Sequence, residues 1–295
     1  MLSTSWLTQR YVSRLETLQL SVRWVRAGHA LGGRFAVNRR GTSVEFADYV
    51  AYCAGDDIRA IDWNLYARLD RLFVKTYKEE VALSLELIVD ATGSMGLPVA
   101  EKFERATQVA VSLGYIAVTD RHRVRMSWLR PGRITASPWF HRRLDLFRMA
   151  GWAAAASAEG QASLADWMYR AAVSLRMRGG QAILVTDGMA RPEDFFRALH
   201  VLLVRNLEVK VIQVLSPQEL HPAALMRAGT LVDAETGATH QLAYSPAELD
   251  RAVADHNDVL ARFCKRHGVL FAQHRLNEPL ESFITKTLPL RGFLE

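Results

Sequence analysis

Three features of the 295-residue chain predict an α/β fold on a doubly wound, mostly parallel sheet. From residue 83 onward, short apolar runs alternate with longer stretches of helical period, the pattern of consecutive strand–helix units. Two of those runs, residues 83–90 and 181–187, are largely apolar and end on aspartates, Asp90 and Asp187, as central strands covered on both faces can. Before residue 83 the pattern differs: a helical stripe is followed by glycine-punctuated, strand-like sequence. The expected division is residues 1–82, an N-terminal helix and small β-rich region, and residues 83–295, the α/β domain.

Leu7, Tyr11, Leu15, Leu18, Val22 and Val25 recur at spacings of three and four, with Arg10, Arg14, Arg23 and Arg26 on the other face. Glu16 and the modest amphipathicity favour docking of this helix on the domain over binding to a membrane surface. Residues 28–83 read as strands joined by turns. A strand at 83–90 precedes a helix at 98–120, with Pro98 near its first turn. Residues 123–129 form a strand with 133–139 as hairpin partner, and helices follow at 141–156 and 163–180, the second closed by Gly179 and Gly180. A buried strand at 181–188, a helix at 192–206 and a strand at 207–215 continue the alternation. A loop-rich stretch then leads to a helix at 245–268, a strand at 269–276 and a closing helix around 279–293. Glu86, inside an apolar strand, is assigned to a polar gap at the start of the sheet.

Composition narrows the function classes. Hydrophobic residues make up 49% of the chain, enough for a full core and against wholesale disorder. No apolar run reaches the roughly 18 residues that span a bilayer, and arginines interrupt the N-terminal segment where a leader would need a compact apolar centre. Cys53 and Cys264 are too few and too far apart for a disulfide framework or a zinc site. The expectation is a cytoplasmic protein without a transmembrane segment. A net charge of +6 and arginines in 121–133 and 141–143 would suit an anionic partner. No nucleic-acid module accompanies them, so nucleic acid is not expected as a partner. His29, His122, His141, His200, His221, His240, His256, His267 and His274 show no metal-ligand spacing and read as surface or helix-end residues.

In open α/β sheets, ligands collect at the carboxyl ends of the strands. Asp90 and Asp187 occupy two such ends and share one crevice if their strands are neighbours. Thr92 and Ser94 follow Asp90 at two and four residues, with Gly93 allowing a sharp turn between them. A hard divalent cation takes oxygen ligands, so a carboxylate and two hydroxyls suit it. Three rival motifs fail on inspection. A phosphate-transferring aspartate wants a carboxylate where Thr92 stands, a P-loop is absent, and Ser94 lacks the glycine of a nucleophile elbow. Capping of the following helix by Asp90 and Ser94 explains the turn equally well on spacing alone.

The stretch "DATGSMG", followed by "LVTDG", resembles the von Willebrand factor A domain and its metal-ion-dependent adhesion site. Residues 39–80, "RRGTSVEFADYVAYCAGDDIRAIDWNLYARLDRLFVKTYKEE", resemble the signature of a bacterial family, domain of unknown function 58, which joins such a segment to a von Willebrand A-like domain of Rossmann type. The resemblance extends from about residue 20 to the C-terminus and implies a metal site at Asp90, Thr92, Ser94 and Asp187, the last acting mainly through water. The family's further threonine ligand falls where this chain has Ala162 in "GQASL", with the Ser163 hydroxyl one position along. The resemblance therefore implies a degenerate site binding Mg²⁺ or Mn²⁺ weakly or not at all.

Asp56, Asp57, Arg59, Asp62, Trp63, Arg68 and Lys75, with Glu45, form a dense polar group. Their interleaved signs favour Arg–carboxylate pairs that fasten the N-terminal region, with Trp63 in a packing slot, over an acidic hydrolytic centre. Family resemblance further implies partnership with a MoxR-type AAA+ ATPase and an unknown protein client. The expected function is a non-enzymatic interaction or adaptor protein, with chaperone-like work in assembling or activating other proteins. The alternative is a metal-dependent hydrolase or phosphatase using Asp90 and Asp187, disfavoured because no nucleophile with an adjacent base is visible at the strand ends.

Overall fold

Thr8 starts the first helix: its side chain accepts the Tyr11 N–H and caps Gln9–Leu15 (α1). The computed structural model describes residues 5–22, 45–56, 58–78, 83–130, 133–160, 164–177, 179–225, 230–232, 239–241 and 245–295. The chain separates into two units, Met1–Ala30 with Leu83–Glu295, and Leu31–Ala82. In the larger unit Tyr11 and Leu15 are buried, and the Tyr11 hydroxyl meets Ser112 Oγ at 2.8 Å. The amphipathic stripe of α1 is a docking face.

In the smaller unit Glu45–Ala51 (β1) pairs antiparallel with Phe73–Lys78 (β2). Between them stands a helix that the sequence reading lacks, Trp63–Leu69 (α2). Asp62 caps it by accepting the N–H groups of Asn64 and Leu65 at 2.9 and 3.1 Å, and Asp70 ends it in the left-handed region. Asp62 also accepts the Tyr49 hydroxyl at 3.0 Å. Trp63 is 61% exposed and meets Tyr66 edge-on, so among the described residues it fills no packing slot. It holds the first helical position, where no preceding turn lies beneath the side chain. Asp57 and the side chains of Glu45 and Lys75 lie outside the described residues.

The strands of the larger unit are Ser84–Asp90 (β3), Arg123–Arg130 (β4), Arg133–Ala136 (β5), Gln181–Thr186 (β6), Glu208–Leu215 (β7), a small hairpin of Thr230–Val232 (β8) with Thr239–Gln241 (β9), and Leu270–Arg275 (β10). Six of them form one sheet in the order β10-β7-β6-β3-β4-β5. All neighbours are parallel except β5, which folds back on β4 as the expected hairpin. The chain winds outward from β3 to one edge, then returns to β6 and winds to the other. The switch point therefore falls between β3 and β6.

Helices Glu101–Thr119 (α3), Leu146–Ala154 (α4), Leu164–Ser174 (α5), Pro192–Leu203 (α6), Pro217–Leu220 (α7) and Pro246–Arg266 (α8) complete the unit. Alternate strand residues feed two cores. Leu85, Leu87, Val89, Ile183 and Val185 pack with α1, α3, α4 and the C-terminal Phe283 and Phe293, whereas Ile88, Ala182 and Leu184 pack with α5, α6 and α8. The closing helix is broken into Leu280–Ser282, a π-type turn at Phe283–Thr287, and Leu288–Leu290. Pro289 has no N–H with which to continue the ladder. Among the described residues no helix is long and apolar enough to cross a membrane.

One charged pair inside the sheet joins neighbouring strands. Glu86 faces Arg125 in register on β4; Arg125 Nε donates to Glu86 Oε2 at 3.0 Å, and Nη2 donates to Oε1. The polar gap assigned to Glu86 is in fact a bidentate ion pair. The guanidiniums of Arg123 and Arg125 lie over the Trp139 ring at 4.7 and 4.6 Å, so part of the basic stretch is engaged within the fold. Lys210, buried on β7, donates to the carbonyls of Ser21 and Phe293 and ties both ends of the chain to the sheet. His274 departs from its surface assignment. It is buried on β10, with Nε2 3.3 Å from Arg105 Nη1 and its ring against Phe283, because β10 is covered by the C-terminal turns.

Candidate functional site

Parallel pairing of β3 with β6 brings Asp90 and Asp187 to the same end of adjacent strands, at the switch point. Asp90 is 4% exposed, and three donors hold its carboxylate. Oδ1 accepts the Thr92 N–H at 3.0 Å and the Thr92 hydroxyl at 2.7 Å; Oδ2 accepts the Thr186 hydroxyl at 2.8 Å. Ser94 Oγ lies 3.1 Å from Thr92 Oγ1, whose proton goes to Asp90, so Ser94 is the donor of that pair. The turn thus has its hydroxyls ordered in a chain that ends on one carboxylate.

Glycine at position 93 is a steric requirement. Its N–H donates to Gly160 O at 2.8 Å, and a Cβ there would lie 2.9 Å from that same oxygen. The contact brings the loop before α5 against the Asp90 turn. Ala162 and Ser163, the next residues of interest on that loop, lie outside the described residues.

Asp187 is 2% exposed; its Oδ1 accepts the Met189 N–H at 3.1 Å. Its Oδ2 takes a donor that sequence reasoning missed, the ammonium of Lys102, at 3.0 Å. Lys102, in the first turn of α3, is wholly buried and donates also to Glu219 Oε1. Glu219 completes a capping box at the start of α7: its Oε2 accepts the N–H and hydroxyl of Ser216, each at 2.8 Å. A signal for Lys102 was legible, since it shares the stripe of Ala106, Val109 and Leu113, and a charge on a buried helical stripe calls for a partner. Nothing local named Asp187 and Glu219 as that partner.

Burial, then the nearby charge of Asp187, push the Asp90 carboxyl up to about 6, against the hydrogen bonds from Thr92 and Thr186. Burial raises Glu219 too, and outweighs the Lys102 ammonium that acts against it. The carbonyls beyond Asp187 are also engaged: Gln213 Nε2 donates to Asp187 O at 2.9 Å, and His256 Nε2 lies 2.7 Å from Gly188 O.

Asp90, Thr92 and Ser94 are hard oxygen donors of the kind Mg²⁺ or Mn²⁺ prefers. The second carboxylate does not match: both Asp187 oxygens are already engaged, Oδ2 by the Lys102 ammonium and Oδ1 by the Met189 N–H. As built, the rim does not fit a divalent ion that draws on both aspartates.

The family described as protein of unknown function DUF58 matches residues 48–259. Uncharacterized protein Rv1480 of Mycobacterium tuberculosis is 26% identical over 269 residues, covering 88% of this chain and 83% of that protein, and uncharacterized protein Mb1516 of Mycobacterium bovis matches to the same extent. Among solved structures, the chain is similar to the conserved hypothetical protein BatB from Bacteroides thetaiotaomicron (14% identity, 71% of this chain and 98% of that one, TM-score 0.41). It is also similar to a von Willebrand factor type A protein from Catenulispora acidiphila (20% identity, 64% of this chain and 43% of that one, TM-score 0.37).

Proposed function

The chain belongs to the DUF58 family, and from that premise and the switch-point rim we propose that it is a non-enzymatic interaction protein with a degenerate adhesion-type site. One observation carries this reading: the hydroxyls of Thr92, Ser94 and Thr186 hydrogen-bond to Asp90 or to one another, and so order a binding surface around a carboxylate. The carboxylate they reach is itself buried, with both oxygens taken by hydrogen bonds, rather than a base open to substrate as a hydrolase needs. The partner we propose, on the family resemblance, is a MoxR-type AAA+ ATPase acting in the cytoplasm on a further protein client, with Mg²⁺ or Mn²⁺ bound weakly or not at all.

Co-purification with such an ATPase from cells that express both tests this reading. Loss of the ATPase on Asp90→Ala, with the melting transition retained, supports it. Phosphatase or nuclease turnover that disappears on Asp90→Asn would establish the hydrolase instead.

A further inference from the structure

We infer that the ammonium of Lys102 is the resident cation of the switch-point rim, standing in for the divalent ion this kind of site would otherwise hold. The inference rests on reading the rim as an adhesion-type site, and it explains why that site is degenerate from a second direction, independent of Ala162.

Three facts converge on Lys102. It is 0% exposed, and both carboxylates it bonds are themselves largely or wholly buried. An ammonium is retained in such a place only when its charge is matched, because burying it unpaired is strongly unfavourable. Asp187 lies just beyond β6 and Glu219 in α7 beyond β7, so the one nitrogen gathers the ends of two neighbouring strands that carry like charge. That gathering of oxygens from separate elements is what a bound Mg²⁺ does in sites of this kind. A lysine does it with a single charge and without exchange with solvent.

Chemistry sets the consequence. A divalent ion that draws on Asp187 must compete with an ammonium attached to the same chain, and the two cations repel. Removing the ammonium leaves Asp187 and Glu219 without their cation, and Asp187 stands near enough to Asp90 for their charges to act on each other, so the rim gains surplus negative charge on oxygen ligands. Lys102→Gln should therefore convert a rim that ignores divalent ions into one that binds them.

The experiment is a Mn²⁺ titration of the full chain, wild type and Lys102→Gln, followed by the paramagnetic resonance of free Mn²⁺, with melting curves in EDTA and in MgCl₂. The expected results are an affinity for Mn²⁺ at least tenfold tighter in the variant, a variant melting temperature raised by Mg²⁺, and a wild-type melt indifferent to EDTA. Wild-type binding in the low micromolar range, or equal affinities in the two proteins, overturns the inference. Should Lys102→Gln unfold in EDTA, the double variant Lys102→Gln with Glu219→Gln lowers the excess charge; failure of Mn²⁺ to restore folding in either protein also overturns it. Partner capture is separate: an Asp90→Ala protein that keeps the ATPase removes the adaptor reading and leaves the cation result standing.

Discussion

Lys102 and Asp187 are 85 residues apart in the chain, and their charged groups are 3.0 Å apart in the fold. The contact joins the first turn of the central helix α3 to the residue just past the strand β6, across the switch point of the sheet. It couples the stability of the unit to the state of its rim, and several outcomes follow from that coupling and from the other buried charges.

Lys102→Met should destabilise the protein by about 3–5 kcal/mol in metal-free buffer, the usual cost of leaving buried carboxylates without their cation. Urea unfolding measures this directly. A loss below about 1 kcal/mol would mean that water reaches Asp187 and Glu219 and that the triad is not closed.

Glu86 and Arg125 form a second buried pair, and burial raises the Glu86 carboxyl despite the guanidinium beside it. Glu86→Leu alone should cost about 3–5 kcal/mol, since it strands Arg125, whereas Glu86→Leu with Arg125→Met should recover most of that loss. A double-mutant cycle in urea decides the matter; additive losses would show that the two side chains are not coupled.

Gly93→Ala must displace the Gly160 carbonyl, because its Cβ would sit 2.9 Å from that oxygen. A cost of about 1–3 kcal/mol is expected, the range for overpacking against an unyielding backbone. Gly96→Ala is the control, since its Cβ would meet nothing nearer than Ala158 Cβ at 3.6 Å. Chemical denaturation of the two variants side by side should separate them clearly.

His274 sets an acid limit. Burial first, and Arg105 second, depress its imidazole from 6.5 to about 3, so it stays neutral in the folded chain where the unfolded chain takes up a proton. The stability it contributes is complete above about pH 6.5 and is lost as pH falls toward 3. Between pH 6.5 and 5 the wild type should lose about 2 kcal/mol relative to His274→Gln, from roughly 1.4 kcal/mol per pH unit. Parallel urea titrations at pH 7, 6 and 5 would refute this if the two proteins kept a constant difference.

Much of this was legible before any coordinates. Apolar runs and helical stripes marked the strands and helices of the larger unit, because burial on two faces imposes its period on local sequence. The turn after Asp90 declared its hydroxyls for the same reason: two- and four-residue spacing is a local property. The short helix Trp63–Leu69 was missed because its start depends on one cap, Asp62, inside a stretch dense with other charges.

By itself the sequence determined the α/β class, the aspartates at two strand ends and the family to which the chain belongs. Only the tertiary structure decided that β3 and β6 are neighbours, that Glu86 meets Arg125, and that Lys102 closes on Asp187 and Glu219. Local pattern records which face of an element is buried, since that depends on residues a few positions apart. The partner of a buried charge depends on how separate elements are ordered in the sheet, and that order is written in no single stretch of the chain.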